Sequence, residues 1–303
     1  MTLTRVPGVT VGHWSDFEGV TGVTVVDLPE PNVAAVEVRG AAPGSRETAL
    51  LAPGMKVETV QAIVLSGGSA YGLAAADGVV RALEADGRGH QTFAGVVPIV
   101  PAAIIFDLGV GDAAARPGAE AGEAAYRAAS SSPVEMGSIG AGTGAVVAGW
   151  RGFDNLRKGG VGSHAVEVGD AVVGALVVLN AVGDVFSLDG VSLTGGAPVP
   201  PQKPPRPPPP LENTTLVVLA TDAALDRSAL QRLCVQAHDS LAVCLRPSHT
   251  RYDGDAAFAV SCGVLDEDPD ALGTAAFTAV GRSIEAAMRS ATTLGGIPAM
   301  ERE

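Results

Sequence analysis

The junction between Asn213 and Thr214 is the part of this sequence most able to do chemistry. A tether over residues 198–210 precedes it and holds nine of the chain's 21 prolines, in the sequence PVPPQKPPRPPPP. Proline this dense excludes a helix or a central strand and predicts an extended, solvated backbone. The apolar and β-branched run Thr215–Ala220 that follows predicts a buried strand. A tether that passes directly into a core strand suits a precursor that is cut once to expose a new N-terminal threonine.

A cut at this junction would activate the hydroxyl of Thr214. The new α-amino group has a reference pKa of about 7.7–8.0, so part of it is neutral at pH 7 and can accept the hydroxyl proton. The cut itself could be autocatalytic: the hydroxyl attacks the Asn213 carbonyl, and water opens the resulting ester. From the pattern alone, the alternative is an ordinary threonine that begins a strand after a linker.

Two carboxylates, Asp253 and Asp255, flank a glycine just before a second apolar strand. From there they could reach the start of a neighbouring strand and hold an ammonium group or tune a hydroxyl. The alternative is a solvated turn, because Asp and Gly are common turn residues.

Lys158 and Asn180 are further candidates, each with an ordinary alternative. Lys158 lies beside a glycine run, where an ammonium could stabilise a developing negative charge; otherwise it is a lysine of a surface loop. Asn180 ends an apolar strand, and a buried amide there is costly unless it is hydrogen-bonded. It could donate to an oxyanion, or it could be the asparagine of a hairpin turn.

The elements that must position these residues mix strands with helices. Strands are predicted over Gly22–Asp27, Val33–Val38, Gln61–Leu65, Thr215–Ala220 and Asp255–Val260. Helices are predicted over Ala70–Ala85, Ala119–Ala129, Ser228–Leu245 and within Pro269–Ser290. A hairpin of buried strands is predicted from Asp170–Asn180 and Asp184–Phe186. The order is not a regular βαβ alternation, so two sheets between helix layers fit better than a doubly wound sheet.

Two glycine-rich segments invite a nucleotide-binding interpretation. The turn over residues 66–69 joins a strand to a helix, so it is expected to aim backbone N–H groups and the positive helix end at one point. The second segment is 140–144. Neither matches the glycine fingerprints of dinucleotide or phosphate-binding loops. A cofactor-dependent α/β enzyme therefore remains only a rival hypothesis.

Composition narrows the class of protein. The chain has 303 residues, 47% of them hydrophobic and 17% charged, with a net charge of −13 and no basic run, which disfavours nucleic acid as a partner. Neither a signal peptide nor an apolar run of the ~18 residues that a membrane span needs is recognisable. Three cysteines and five histidines show no ligand spacing, so no metal is expected. These features predict one soluble, cytoplasmic domain.

Several segments together resemble one family, the L-aminopeptidase D-esterase (DmpA-like) branch of N-terminal-nucleophile hydrolases. They are collinear and span nearly the whole chain. The matching stretches are Val38–Thr48, Leu65–Leu73, Val97–Asp107, Gly140–Ala145, Asn213–Thr215, Ala220–Ala223 and Arg246–Asp255. The Asn-Thr junction is similar to the branch with nylon-oligomer hydrolases and a pantetheine-cleaving enzyme, whereas the branch with aminopeptidase and β-peptide activity usually has Gly-Ser there.

The resemblance implies an α+β fold, a four-layer αββα sandwich. It also implies a precursor that cleaves itself into an α chain, Met1–Asn213, and a β chain, Thr214–Glu303. Such αβ units assemble into homo-oligomers. The implied substrates are small peptides or amides, and no cofactor is needed.

The resemblance also assigns roles to residues. Thr214 is implied as the nucleophile, Asn180 as the oxyanion-stabilising amide, and Asp253, Asp255 and Lys158 as its neighbours in the site. Substrate contacts are expected from Phe106, Gly67, Gly68 and Tyr71.

This chain departs from the family pattern at two positions. Phe106 stands where characterised relatives have a tyrosine, and Ala256 where a threonine often follows the acidic pair. Both departures leave open an alternative, an uncleaved, non-catalytic small-molecule-binding protein on the same scaffold.

Overall fold

The computed structural model describes residues 1–201 and 212–301, so most of the tether predicted over 198–210 lies outside the described residues. In chain order the strands are β1 (Thr10–Asp16), β2 (Thr21–Asp27), β3 (Val33–Val38), β4 (Ser45–Arg46), β5 (Ala62–Ser66), β6 (His90–Thr92), β7 (Gly95–Val97), β8 (Ala102–Ile104), β9 (Val146–Val147), β10 (Arg157–Lys158), β11 (Gly160–Val168), β12 (Ala171–Asn180), β13 (Asp184–Val185), β14 (Thr214–Ala223), β15 (Leu245–Arg246) and β16 (Ala256–Leu265). The α-helices are α1 (Ala75–Ala85), α2 (Ala119–Arg127), α3 (Arg227–Cys244) and α4 (Pro269–Ser290).

Two five-stranded sheets form the centre of the fold. The first has the order β1-β2-β5-β8-β4 and the second the order β11-β12-β14-β16-β3. In the second sheet β14 is the middle strand, antiparallel to β12 and parallel to β16, with α3 in the crossover between the two parallel strands. The beginning of β14, where Thr214 lies, is therefore flanked by strands on both sides.

The two sheets pack face to face between two pairs of helices. The core between the sheets contains Val26 and Ile63 from the first sheet and Leu176, Val218 and Phe258 from the second. Helices α1 and α2 cover the outer face of the first sheet, and α3 and α4 cover that of the second. This arrangement confirms the predicted four-layer αββα sandwich.

Burial on both faces explains the composition of the central strands. Every residue of β12 (AVVGALVVLN) is buried, and so is all of β14 except Asp222. A strand covered on both faces needs no polar side, so its sequence is a continuous apolar run rather than an alternating one.

The predicted hairpin between 170–180 and 184–186 is wrong. The hairpin partner of β12 is β11, joined to it by the two-residue turn at Gly169 and Asp170, with Val168 opposite Ala171. Gly169 has a φ of +55°, which a two-residue hairpin turn demands and which glycine adopts at little cost. The short strand β13 pairs with β15 instead.

Strand β11 was not predicted from the sequence, because it contains glycines and glycine usually weakens a strand. Here they serve close packing. A Cβ on Gly162 would lie 2.0 Å from the backbone oxygen of Ser283 in α4, so only glycine allows this helix to approach the sheet so closely. Strand β1 was also missed.

The other predicted elements agree with the structure to within a few residues. The helix predicted from Ala70 begins as a 3₁₀ helix over Ser69–Ala74 and continues as α1. In α3 and α4 the first turn is capped by an aspartate side chain, from Asp226 and Asp268 respectively, which accepts backbone N–H groups.

Among the helices of residues 1–201 and 212–301, none has the length and apolar character needed to cross a bilayer.

Candidate active site

Thr214 is the first residue of the central strand β14 and lies opposite Asn180, the last residue of β12. Its side chain is buried, with 3% of the residue exposed. The strand pairing therefore brings together two residues that are 34 positions apart in sequence, and it holds the hydroxyl where water has little access.

The Asn213–Thr214 peptide is held by hydrogen bonds at its carbonyl oxygen and at the Asn213 N–H. The hydroxyl of Thr214 donates a hydrogen bond of 2.6 Å to the carbonyl oxygen of Asn213. The backbone N–H of Gly254 donates to the same oxygen at 2.9 Å, and the N–H of Asn213 donates to the carbonyl of Tyr252 at 2.8 Å. A side-chain hydroxyl and a backbone N–H thus converge on one carbonyl oxygen, an arrangement able to stabilise negative charge on that oxygen.

The acidic pair is buried, not a solvated turn. Asp253 and Asp255 are 2% and 1% exposed. Asp255 accepts the backbone N–H of Thr215 at 2.7 Å, so it contacts the residue after Thr214. Asp253 accepts both the N–H and the hydroxyl of Thr250, at 2.8 and 2.7 Å.

Burial, followed by the charge of Asp255, raises the pKa of Asp253 to about 7. The shift favours the protonated form of Asp253, which neighbours Asn213 across a β-bridge.

His249 is a member of this cluster that was not predicted from the sequence. Its Nδ1 lies 2.7 Å from a carboxylate oxygen of Asp255, and its backbone N–H donates to the same oxygen at 3.3 Å. Burial alone would lower the pKa of His249, but the hydrogen bond and charge of Asp255 outweigh it, so this pKa is raised. The available signal was the position of His249-Thr250, within six residues of both carboxylates.

Lys158 is fully buried, which excludes the surface-loop alternative. Its ammonium donates to the backbone carbonyl of Thr143 at 2.8 Å and to that of Ala145. Burial lowers the pKa of Lys158 to about 7, and the charge of Asp107 opposes this shift. The group can therefore change charge near neutral pH.

Asn180 is buried and fully engaged, which excludes an exposed turn. Its side-chain oxygen accepts the N–H of Val146 at 2.9 Å, and its side-chain N–H group donates to the carbonyl of Phe106 at 3.2 Å. Lys158 pairs with Val146 in the two-stranded ladder of β9 and β10. Asn180, which lies opposite Thr214, is thus hydrogen-bonded to the Phe106 backbone and to Val146, the ladder partner of Lys158. In this uncut chain the amide is directed to Phe106.

The glycine turn at 66–69 does not present free N–H groups, contrary to the sequence-based expectation. The N–H of Gly67 donates to the carbonyl of Gly22 at 2.9 Å, and that of Gly68 donates to Asp107 at 2.7 Å. A Cβ on Gly67 would lie 2.1 Å from the Asp107 carboxylate, so the glycine is needed for this contact. The turn's N–H groups are satisfied within the protein, which removes the basis for a phosphate cradle there.

Tyr71 is exposed, unlike the buried residues around Thr214. The residue is 57% exposed, and the guanidinium of Arg116 stacks on its ring 3.6 Å from the centroid.

Comparison with solved structures defines the class of fold. The L-aminopeptidase D-Ala-esterase/amidase from Ochrobactrum anthropi, described as a variant of the N-terminal-nucleophile hydrolase fold, superimposes with a TM-score of 0.79 at 23% identity, covering 99% of this chain and 91% of that one. A β-aminopeptidase from Burkholderia sp. gives a TM-score of 0.75 at 22% identity, covering 99% and 90%. The fold is that of the N-terminal-nucleophile hydrolases.

Within that class, the chain belongs to peptidase family S58, whose family model matches residues 2–301. An uncharacterized aminopeptidase from Mycobacterium leprae is 39% identical, covering 98% of this chain and 92% of the relative. A 6-aminohexanoate-oligomer endohydrolase from Paenarthrobacter ureafaciens is 32% identical, covering 86% of this chain and 74% of the relative. These findings confirm the resemblance on which the sequence analysis rests.

Proposed function

We propose that this protein is an autoprocessing amidohydrolase or aminopeptidase whose nucleophile is Thr214. The observation that carries the proposal is the geometry of the Asn213–Thr214 peptide, with the hydroxyl and the Gly254 N–H on one carbonyl oxygen. Cleavage there would divide the chain into an α chain, Met1–Asn213, and a β chain, Thr214–Glu303.

Self-cleavage would take two steps. The Thr214 oxygen forms a bond to the Asn213 carbonyl carbon, the bond from that carbon to the Thr214 nitrogen breaks, and the hydroxyl proton moves to the nitrogen. Water then adds to the ester carbon and returns one proton to the Thr214 oxygen, and the carboxylic acid formed on Asn213 gives its proton to the new α-amino group, which leaves a carboxylate and an ammonium. The N–H of Gly254 stabilises the oxyanion in the first step, because it already points at that oxygen.

In substrate turnover the same oxygen would attack an amide or ester. The new α-amino group of Thr214 takes the hydroxyl proton and delivers it to the leaving amine, and water hydrolyses the acyl-enzyme. We assign Asn180 to the oxyanion of this reaction, once cleavage frees the space beside it. Asp253 and Asp255 orient the ammonium or hydroxyl of Thr214, and Lys158 supports them electrostatically.

The proposed substrates are small peptides or amides. The names of the relatives support this class, because they describe aminopeptidases and an endohydrolase of 6-aminohexanoate oligomers, all of which cleave amide bonds. Phe106 supplies a ring without the hydroxyl of the expected tyrosine. With Gly67, Gly68 and Tyr71, it belongs to the proposed substrate-binding face. We further propose a cytoplasmic homo-oligomer of αβ units.

The test is to replace the nucleophile. Thr214→Ala should remain a single chain and show no amidase activity, because no hydroxyl is left to attack. The matched variant Thr214→Ser keeps a hydroxyl and should still cleave before residue 214. Intact-mass spectrometry with N-terminal sequencing of the smaller fragment reads out both.

A cleaved or active Thr214→Ala protein would contradict the assignment. A wild-type chain that stays intact after long incubation would instead favour the non-catalytic binding protein on this scaffold.

A further inference from the structure

The two residues His249 and Thr250 hold the acidic pair in a one-to-one arrangement. His249 gives Asp255 two contacts, from Nδ1 at 2.7 Å and from its backbone N–H at 3.3 Å. Thr250 gives Asp253 two hydrogen bonds, from its N–H at 2.8 Å and its hydroxyl at 2.7 Å. Each carboxylate thus has its own clamp.

The two clamps differ in charge. An imidazole can become a cation, whereas a threonine hydroxyl and a backbone N–H stay neutral. A hydrogen bond to a charged group is roughly twice as strong as one between neutral groups. The clamp on Asp255 therefore favours the ionised carboxylate more than the clamp on Asp253 does.

The backbone of His249 supports a role for its side chain. His249 has a φ of +52°, in the left-handed region that non-glycine residues rarely adopt. Such a conformation persists when the surrounding structure favours it, and it is common at functional sites. Here it turns both the ring and the backbone N–H of His249 onto one oxygen of Asp255.

Among the groups that act on His249, the acidic ones are Asp253 and Asp255. Besides Asp253 and Asp255, the titratable group that acts on His249 is His238 on α3, which in turn contacts the backbone carbonyl of Glu37 and lies near the charge of Arg39. His238 meets the ring of His249 edge-on, 4.9 Å between centroids, and burial lowers the pKa of His238 to about 4, so it is neutral at physiological pH.

We propose that His249 is a positioning residue whose imidazolium keeps Asp255 as the ionised member of the acidic pair and so leaves the proton of the pair on Asp253. Asp255 then holds the Thr215 N–H and with it the backbone of the nucleophile. Asp253, the neighbour of Asn213 across a β-bridge, keeps the proton near the peptide to be cut. This inference rests on the proposed self-cleavage.

The test uses self-cleavage, which needs no knowledge of the substrate. The variant is His249→Asn, because asparagine tolerates a positive φ and keeps a neutral donor near the Nδ1 position. His164→Asn, on β11 outside the site, is the matched control. Precursors unfolded in urea are diluted into buffers from pH 5 to pH 9, and the cleaved fraction is followed by gel and intact mass.

We expect the acidic limb of the pH profile of the cleavage rate to shift, whereas the rate should not fall equally at every pH. His249→Asn should cleave about tenfold more slowly than wild type at pH 5, equivalent to a limb displaced by about one pH unit. At pH values high enough to remove the charge of the wild-type imidazole, the two rates should converge. His164→Asn should follow the wild-type profile. An equal loss at every pH would mean a purely structural role, and an unchanged profile would mean none; either overturns the inference.

A second measurement separates this inference from the proposed function. In uncleaved Thr214→Ala protein labelled with ¹⁵N-histidine, the His249 resonance should titrate above the ordinary histidine pKa, and Asp255→Asn should remove that elevation. Titration at or below the ordinary value overturns the inference even where self-cleavage is intact. If the wild-type chain fails to cleave, only the proposed function is overturned, because the titration still shows whether His249 is paired with Asp255.

Discussion

At the scale of single residues, the candidate site is a set of buried groups that reach one another through backbone atoms. Lys158 illustrates this, because its ammonium is held by the carbonyls of Thr143 and Ala145 and makes no ion pair with any residue that the structure describes. Burying a charge without a close counter-ion is costly, so the neutral form gains at the expense of the charged one. The stability of the fold should therefore depend on pH through this residue.

Replacing Lys158 by methionine tests this cost. The pKa of Lys158 falls to about 7 in the folded protein, against about 10.4 in an unfolded chain. Between these values the unfolded state binds more protons, so the free energy of unfolding should rise with pH, by at most about 1.4 kcal/mol per pH unit. Lys158→Met should lack this rise.

Urea unfolding at pH 7, 8 and 9 measures the difference. Both proteins should carry Thr214→Ala, so that each remains one chain. If the free energies of unfolding of the two proteins change with pH in parallel, Lys158 keeps an ordinary pKa in the folded state and the carbonyls solvate its ammonium well.

At the scale of elements, glycines allow the backbones of neighbouring elements to pack in close contact. Helices α1 and α2 cross where a Cβ on Gly78 would lie 1.7 Å from the carbonyl oxygen of Ala119, and a Cβ on Gly122 would lie 1.8 Å from that of Ala75. The two helices that cover the first sheet can therefore pack this closely only with glycine at both positions. In contrast, Gly273 in α4 faces only the flexible side chain of Gln236, at 3.5 Å.

Two glycine-to-alanine variants should accordingly have opposite effects. Gly122→Ala should lower the free energy of unfolding by about 1–3 kcal/mol, because the helices must move apart. Gly273→Ala should raise it by about 0.5–1 kcal/mol, because alanine is the better helix former and the space is free. Chemical denaturation of the two variants beside their parent, all three carrying Thr214→Ala so that each remains one chain, measures the difference. Similar effects of the two substitutions would mean that the helix crossing relaxes without cost.

At the scale of the whole molecule, the proposed cleavage site lies inside a sheet rather than between two separate bodies. The α chain would keep β11, β12 and β3, and the β chain would hold β14 and β16 between them. The ladder between β12 and β14 alone spans eight residue pairs. Cutting the chain at residue 213 breaks none of these contacts.

We therefore expect the two chains to stay together after cleavage. A denaturing gel should show two fragments, while size-exclusion chromatography in native buffer should give one species that contains both in equal amounts. Uncleaved Thr214→Ala protein, as the control, should elute at the same volume. A β fragment that elutes separately in native buffer would contradict this arrangement of the sheet.

Much of the architecture could be read from local pattern. The layers, the central strands and the long helices follow from hydrophobic runs, and the departures come from glycine. The glycines of β11 look like a loop in sequence, but they permit the approach of α4. The glycines at 67 and 68 look like a phosphate loop, but Gly22 and Asp107 take their N–H groups.

The sequence by itself determined the sandwich, the family and a set of candidate residues, because patterning and motif are local properties of a chain. Tertiary structure decided the relative positions of those residues and the pKa values of their side chains. Strand register set Thr214 opposite Asn180, and burial moved the pKa values of Lys158 and Asp253 towards neutrality. Tertiary structure also brought His249 into contact with Asp255. Desolvation and the position of a neighbouring charge depend on distances in space, so they cannot be read from the order of residues in the chain.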